Sequence, residues 1–337
     1  MFNLFRQDGD LFRQDGDHKS RHLFTLVAPV TLVAPVTLVA PVAPVTFIPF
    51  SATSKKFSWQ RLLAGLLFSA GVGLFAYRRR SLSRSGVAGA MATGTLTVGM
   101  GGWAWGLSLI YFFASSSLLS HFRSREKERT AADKFSKGSQ RDFAQVMANG
   151  GVATVLSLAH GLTRSQSAQE LLQAGYIGAL ATANGDTWAT ELGVLNTRQP
   201  RLITTGKPVA PGTSGGITLL GTAASAAGGL SLSLVFRLLQ GFRKARATFL
   251  IIGLLSGLAG SLADSLMGAT LQAMFYCPTC EKETERRVHS CGTPTMPLRG
   301  IPWFDNDVVN FIATLFGALV GIVLHLGMLF TQKDRQV

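Results

Sequence analysis

Two acidic side chains, a lysine and a glycine-rich loop follow one another between apolar stretches of this sequence. Asp186 and Glu191 lie in the segment GDTWATELG, and Lys207 precedes the loop. The small residues of the loop are Gly212, Thr213, Ser214, Gly215 and Gly216. Carboxylates can hold a divalent cation, lysine can meet a phosphate as a point charge, and loop amides can cradle anionic oxygens. The segment therefore predicts phosphate chemistry at a membrane surface.

Both parts of this segment also have a purely structural interpretation. Asp186 could cap the N-terminus of a helix, and the loop after Lys207 could be a flexible turn, since it lacks a Walker pattern. An unbroken helix would place Asp186 and Glu191 about 140° apart around its axis. A cation site shared by these two acids therefore requires a helix break, which we predict at Asn184-Gly185.

A second acid lies in a later apolar stretch. Ser256, Gly260, Asp264, Gly268 and Gln272 recur at four-residue intervals, which places small and polar residues along one slowly drifting helix face. Close helix packing explains the glycines but not the carboxylate. A charge inside a membrane is costly unless it meets a cation, a partner or water, so the pattern predicts an ion-binding role.

The last apolar stretch opens with the polar run Asp305-Asn306-Asp307. The first two residues of this run suit the N-cap of the following helix. Asp307 and Asn310 are one turn apart on one face. We predict that they complete an acidic Mg²⁺ site with Asp186 and Asp264.

All three cysteines of the chain lie close together, as Cys277-x-x-Cys280 and, after His289, Cys291. Three thiolates and an imidazole predict a tetrahedral Cys3His zinc site within the loop 277–305. Free thiols of a reducing compartment and a disulfide are the alternatives. The loop is too short to have a core of its own, so a zinc ion here would be a structural clasp.

The composition indicates a membrane protein. Of 337 residues, 47% are hydrophobic and only 15% are charged, whereas soluble proteins carry about 25% charged residues. The net charge of +14 is gathered in short clusters between apolar runs, as in loops at an anionic cytosolic leaflet. Because no nucleic-acid reader motif or aromatic platform accompanies this charge, we expect no nucleic-acid partner.

The apolar stretches predict an all-α polytopic fold with about six to eight transmembrane helices, some short or broken, and the Gly-rich loop at the membrane edge. Residues 1–57 repeat LFRQDGD and TLVAPV, and their regular prolines disfavour a spanning helix. We interpret them as a low-complexity segment and residues 58–337 as the membrane domain. The predicted spans are 59–77, 85–101, 103–120, 146–163, 169–184, 214–238, 248–275 and 308–331.

The basic clusters predict a topology. If 85–120 is a transmembrane hairpin, the loops at 78–84 and 123–141 lie together on the cytosolic side, as the positive-inside rule prefers. The same count places 186–216 on that side. It also places the basic residues of 243–246 on the opposite side, against the rule. We therefore expect one miscounted or re-entrant span, with a break at Asn184-Gly185 or Gly215-Gly216.

Four motifs in order resemble the transmembrane protein 19 family, to which plant phytyl-phosphate kinase belongs. They are GDTWATELG, RLITTGKPVAPGTSGGIT, LAGSLADSLMGATLQ and NDVVN, and the resemblance runs from about Ser83 to Gly321. A looser similarity links the acids, the lysine and the Gly-rich loop to CTP-dependent polyprenol kinases and phosphatidate cytidylyltransferases.

The resemblance implies an integral membrane kinase that converts a phytyl or other prenyl monophosphate to the diphosphate, with CTP or ATP as donor and Mg²⁺ as cofactor. It implies that Asp186, Glu191, Asp264 and Asp307 hold Mg²⁺ with help from Asn310, and that Lys207 and residues 212–216 hold phosphates. A transporter or lipid translocator and a CTP-dependent cytidylyltransferase are the alternatives. The expected location is the endoplasmic reticulum or another endomembrane, or the chloroplast envelope in a plant or alga.

Overall fold

The computed structural model describes residues 58–131, 140–241 and 247–334 of the chain. The low-complexity segment 1–57 lies outside the described residues, as do Arg243, Lys244 and Arg246. The described part is mainly helical, which confirms the predicted all-α class. Its helices are α1 Trp59–Arg78, α2 Arg84–Leu96, α3 Trp103–His121, α4 Ser124–Ala131, α5 Phe143–Leu162, α6 Gln166–Gly193, α7 Leu219–Gln240, α8 Thr248–Thr270 and α9 Asn306–Asp334.

Short polar side chains begin several of the long helices. Ser83 accepts a hydrogen bond from the amide of Gly86 at the start of α2. Thr218 accepts one from the amide of Gly221 at the start of α7. At α5, Asp142 and Gln145 form a capping box. These caps satisfy amides that have no acceptor within their own helix.

Helix α6 is the central helix of the bundle. Its residues from Ala174 to Gly185 are all buried, and it packs against α5, α7, α8 and α9. A Cβ atom on Gly185 would lie 2.7 Å from the carbonyl oxygen of Ser225, and one on Gly178 would clash with the carbonyl of Gly317. Small residues therefore let the neighbouring helix backbones approach α6 closely.

The predicted break at Asn184-Gly185 is wrong, because α6 continues to Gly193. The Asn184 side chain is used in packing: it donates to the Gly228 carbonyl on α7 at 2.7 Å and accepts from the Ser115 hydroxyl on α3 at 2.8 Å. The pair therefore joins helices and does not interrupt one. The alternative position, Gly215-Gly216, lies before α7, which begins at Leu219 and not at the predicted residue 214, so this pair interrupts no helix.

Several loops meet at one end of the bundle. The α1–α2 connection pairs with Arg141 through two backbone hydrogen bonds of 3.0 Å, and Lys127 reaches Glu191 on α6. The Gly-rich loop contacts Gln272 after α8 through Ser214. These contacts bring together the loops that were predicted to share one side. Helix α7 leads away from this end and α8 leads back to it. Successive long helices therefore alternate in direction, and this topology does not require the miscounted or re-entrant span that the sequence predicts.

Two small sheets lie in the connections at this end. Strands β1 (Arg201–Leu202) and β2 (Gly216–Ile217) pair antiparallel and flank the Gly-rich loop. The cap sheet consists of β3 (Met274–Cys277), β4 (Lys282–Thr284) and β5 (Met296–Arg299), with β3 in the middle and both pairings antiparallel. It connects α8 to α9, and it carries the three cysteines close to the ends of these helices.

Candidate functional site

Two partly buried acids meet where α6 packs beside α8. Asp186 on α6 accepts a hydrogen bond of 3.1 Å from the hydroxyl of Ser261 on α8. Asp264 follows Ser261 by three residues and interacts electrostatically with Asp186 and with Glu285. We call Asp186, Asp264 and Glu285 the acidic cluster. The predicted meeting of Asp186 with Asp264 is thus present in the structure.

One oxygen of the acidic cluster has no partner. Oδ2 of Asp264 is buried and accepts no hydrogen bond from the described residues. Leaving a carboxylate oxygen buried without a donor is costly, and two neighbouring acids add to that cost. A hard divalent cation would remove it, because Mg²⁺ and Ca²⁺ take oxygen ligands. The donor set of the acidic cluster therefore fits Mg²⁺, with Asp186 and Asp264 as the residues that would hold it.

A polar cavity adjoins the acidic cluster. Its volume is about 210 Å³, and Glu285 lies in its wall together with Arg287 of the cap and Asp307 on the first turn of α9. Glu285 is fixed there by a 2.8 Å hydrogen bond from the Gln272 side chain. Asp307 therefore faces the same space as Glu285.

The polar residues at the start of α9 have different roles. Oδ1 of Asp305 accepts hydrogen bonds from the amides of Asp307 and Val308 at 3.0 and 3.1 Å, so Asp305 is the residue that caps the helix. The side chain of Asn310 donates to the carbonyl of Asn306 at 2.8 Å. The amide of Asn310 is thus used within α9, and Asp307 lines the cavity together with Asp305 and Asn306.

Glu191 lies apart from the acidic cluster. Its carboxylate accepts 2.5 Å and 2.6 Å hydrogen bonds from Ser120 and Lys127, and Arg141 also interacts with it. Burial lowers the pKa of Arg141 to about 10, against the opposing effect of Glu191, so the guanidinium stays charged at neutral pH. We call Glu191, Ser120, Lys127 and Arg141 the paired cluster. Because α6 is unbroken, Glu191 and Asp186 face different neighbours, and the helix break that their shared Mg²⁺ site was predicted to need is absent.

The Gly-rich loop is tied to the end of α8. Gly212 and Gly215 adopt left-handed φ angles of 76° and 83°, which glycine tolerates without strain. The amides of Thr213 and Gly216 donate to carbonyls within the loop at 3.1 and 2.9 Å, so these two are not available to a phosphate. The Ser214 hydroxyl donates to the Gln272 side chain at 2.6 Å.

A hydrogen-bonded chain thereby links the loop to the acidic cluster, from Ser214 through Gln272 to Glu285. Arg299 of β5 attaches the cap sheet to the end of α8, since its guanidinium donates to the carbonyls of Gly268 and Ala269 at 2.9 Å. Lys207 is exposed on the turn after β1. Within the described ranges no contact ties Lys207 to the acids.

The cysteines and His289 converge as predicted. Ligand atoms of Cys277, Cys280, His289 and Cys291 all lie within 4.8 Å of one another. The Sγ atoms of Cys277 and Cys291 are 3.7 Å apart, well beyond the roughly 2.05 Å of a disulfide, and all three cysteines are free. Hydrogen bonds with Thr293 and His289 lower the pKa of Cys291 to about 6, which favours its thiolate.

Sequence reasoning missed Glu285 and Arg287. Both lie in the polar run that follows β4, and the sequence assigned this loop only to the cysteines. Their charges were the available signal, but their position over the end of α8 depends on strand pairing in the cap sheet. Ser261 was missed as well, although it lies one turn before Asp264.

These features define a polytopic helical membrane protein with a cluster of partly buried acids at one end of the bundle. The chain belongs to the integral membrane protein DUF92 family, which matches residues 67–318. Four helices are long and apolar enough to cross a membrane, namely Trp59–Arg78, Leu219–Gln240, Thr248–Thr270 and Asn306–Thr331. The other long helices fit the six to eight spans predicted. The predicted class and membrane location are confirmed.

The relatives extend over most of the chain. Protein PGR of Arabidopsis thaliana is 36% identical over 275 residues, which are 76% of this chain and 93% of the relative. A membrane protein of Methanocaldococcus jannaschii is 29% identical over 79% of this chain and 94% of its own length. Protein VTE6, chloroplastic, of Arabidopsis thaliana is 27% identical over 80% of this chain and 72% of its own length. No solved structure matches the chain. The resemblance to the transmembrane protein 19 family is confirmed.

Proposed function

We propose that the protein is a membrane-embedded kinase for isoprenoid phosphates, which transfers a phosphoryl group from CTP or ATP to a prenyl monophosphate such as phytyl monophosphate. The observation that carries this proposal is the buried, unpartnered Oδ2 of Asp264 beside Asp186 and Glu285. A partly buried acidic cluster with one buried carboxylate oxygen, next to a cavity with charged side chains in its wall, suits a cation that meets phosphates. The acceptor class comes from the family resemblance.

Each residue of the acidic cluster has a role in this proposal. Asp186 and Asp264 would hold Mg²⁺, and the Ser261 hydroxyl keeps the Asp186 carboxylate oriented. Gln272 keeps Glu285 in place through its 2.8 Å hydrogen bond. Bound Mg²⁺ supplies electrostatic stabilisation for the charge that spreads over the transferring phosphoryl group.

Cations and positioning complete the proposed site. Arg287 in the wall of the cavity is suited to bind phosphate oxygens, and Lys207 on its exposed turn is a second cation for the nucleotide. The acceptor is already a phosphate, so the transfer needs no strong general base. The prenyl chain would lie among the apolar helices, which leaves its phosphate at the end of the bundle where the acids are.

Purified protein tests this proposal directly. The protein in detergent is incubated with phytyl or farnesyl monophosphate, Mg²⁺ and labelled CTP or ATP, and the prenyl diphosphate is measured. We expect diphosphate with the parent and a loss of about 10²-fold or more with Asp264→Asn. Glu126→Gln is the matched control, because it makes the same acid-to-amide change at an exposed position on α4. The absence of diphosphate with either donor, or full activity of Asp264→Asn, would refute the kinase.

The same assay separates the kinase from the alternatives. A carrier would move the prenyl phosphate across liposomes without consuming a nucleoside triphosphate. A cytidylyltransferase would release pyrophosphate and leave CMP on the lipid. Release of a nucleoside diphosphate in step with prenyl diphosphate supports the kinase, and either of the other outcomes replaces it.

A further inference from the structure

The cap sheet holds a set of metal ligands outside the acidic cluster. Cys277 ends β3, Cys280 lies in the turn to β4, and His289 and Cys291 lie in the segment before β5. We propose that these four residues, the thiol cluster, bind one structural Zn²⁺ that fixes the fold of the cap sheet. We further propose that this zinc site holds Glu285 and Arg287 at the cavity, a second step that rests on the proposed function.

The distances in the thiol cluster match tetrahedral zinc. Zn–S bonds of about 2.3 Å place two thiolate sulfurs about 3.8 Å apart, and the Sγ atoms of Cys277 and Cys291 are 3.7 Å apart. Nδ1 of His289 is 3.1 Å from Sγ of Cys291. All four ligand atoms lie within 4.8 Å of one another. One ion can therefore contact all four without rearrangement of the backbone.

Local backbone geometry presents the ligands in two facing turns. The amide of Gly292 donates to the His289 carbonyl at 2.9 Å, and the amide of His289 donates to the Thr293 carbonyl at 3.0 Å. Gly292 has a φ of 86°, which completes the tight turn around Cys291. The Cys277-x-x-Cys280 turn ends at Glu281, which also has a positive φ, of 51°.

The environment of His289 favours a metal over free thiols. The residue is only 4% exposed, and its Nδ1 faces the thiol of Cys291 at 3.1 Å, so this ring nitrogen can serve as the fourth ligand. The strand β5 leaves Met296 and Leu298 more than one third exposed, at 59% and 45%, so little apolar surface holds the cap sheet together. Small elements of this kind commonly depend on a metal or a disulfide, and the cysteines form no disulfide.

The zinc ligands bracket the residues that reach the cavity. Glu285 and Arg287 lie between Cys280 and His289 in the chain, and both line the cavity beside Asp307. Loss of the ion would release both ends of this stretch. We therefore expect zinc to be needed for the position of Glu285 and not for the phosphoryl transfer itself.

Metal content is the first measurement. Full-length protein purified without added metal should carry about one zinc per chain, as measured by inductively coupled plasma mass spectrometry. The variants Cys280→Ser and Cys291→Ser should each lose most of it, while the matched control His121→Gln, which changes an exposed histidine on α3, should keep it. Zinc-free parent protein, or unchanged zinc in the double variant Cys280→Ser/Cys291→Ser, would overturn the site.

The parent protein alone provides a second readout, which is needed if the variants fail to fold. Exchange of the ion for Co²⁺ should give the visible bands of tetrahedral thiolate coordination. Treatment with a zinc chelator should speed tryptic cleavage after Lys282, Arg286 and Arg287 by about tenfold, with no change after Arg198 in the loop before β1. Equal cleavage rates with and without the chelator would refute a role for zinc in the cap fold.

Failure of the zinc site and failure of the kinase are distinguishable. Zinc content and proteolysis need no prenyl phosphate, so they stand whether or not diphosphate forms. If the parent is an active kinase, chelation followed by restored Mg²⁺ should lower its activity, and added Zn²⁺ should restore it. Zinc-depleted protein with full activity would overturn the link to Glu285 and Arg287 and leave the zinc site itself intact.

Discussion

Helix α6 carries two acids near the same end, and their surroundings are opposite in kind. Glu191 in the paired cluster meets a lysine at 2.6 Å and a serine hydroxyl at 2.5 Å. Asp186 in the acidic cluster meets the Ser261 hydroxyl at 3.1 Å and a second acid, Asp264. The two residues are five positions apart on a continuous helix, so they face different neighbours.

The contrast separates a structural charge from one that requires a ligand. A buried ion pair with added hydrogen bonds is satisfied within the protein, and removing one partner leaves the other stranded. Two adjacent carboxylates with an unpartnered oxygen are satisfied only by something that binds them. The difference can be tested because isosteric amide variants exist for both acids.

The largest expected difference is in catalysis. Asp186→Asn should lower kcat/KM for diphosphate formation by about 10²-fold or more, because it removes a ligand of the proposed cation. Glu191→Gln is the matched variant on the same helix. Per amount of folded protein, it should retain most of the activity of the parent. Initial rates at saturating Mg²⁺ measure both. Equal losses in the two variants would show that the clusters do not differ in function.

The paired cluster should dominate stability. Lys127→Met leaves the partly buried Glu191 carboxylate without its lysine and with Arg141 as its remaining cation, and it should cost about 2 to 3 kcal/mol of unfolding free energy. The double variant Lys127→Met/Glu191→Gln should recover part of this loss, since the carboxylate is then neutral, although the guanidinium of Arg141 still lacks its acid. Thermal unfolding in detergent gives the three values and their coupling. Strictly additive losses would mean that the pair does not interact in the folded protein.

The sequence was sufficient to single out the acids of the acidic cluster. Asp264 and Asp186 stand out because a charge in an apolar helix is costly wherever the helix packs, which is a property of each residue alone. The contact between Asp186 and Asp264 does not follow from a property of either residue alone. It depends on α6 lying beside α8, with Thr182 packed where a side chain on Gly260 would be, and spacing within one helix carries no such information.

The predictions that were wrong or missing also concern contacts between residues far apart in the sequence. Glu191 and Lys127 are separated by 64 positions, so no local pattern indicated that the acid already had a partner. The angle of about 140° argues against a shared ion on one helix, and the predicted break at Asn184-Gly185, which would have brought the two acids together, is absent. Glu285 and Arg287 were missed because strand pairing, and not sequence spacing, sets their position.

Cation binding should also change the stability of the acidic cluster. With Mg²⁺ at ten to a hundred times its dissociation constant, the parent should gain about 1.4 to 2.7 kcal/mol. Asp264→Asn should gain little from Mg²⁺ and should be at least as stable as the parent without it, because the amide removes the repulsion with Asp186 and Glu285. Unfolding curves across a Mg²⁺ titration measure both effects. An Asp264→Asn protein that Mg²⁺ stabilises as strongly as the parent would exclude Asp264 as a ligand.

The smallest expected effect tests how the protein orients Asp186. Ser261→Ala removes one hydrogen bond to the carboxylate and leaves the acid itself, so it should weaken Mg²⁺ binding by about fivefold, or roughly 1 kcal/mol. Ser225→Ala is the control, since the Ser225 hydroxyl donates to the carbonyl of Thr222 in its own helix at 2.8 Å. The Mg²⁺ concentration for half-maximal activity is the measurement. If Ser261→Ala lowered kcat without moving that concentration, Ser261 would act on the reaction and not on the ligand geometry of Asp186.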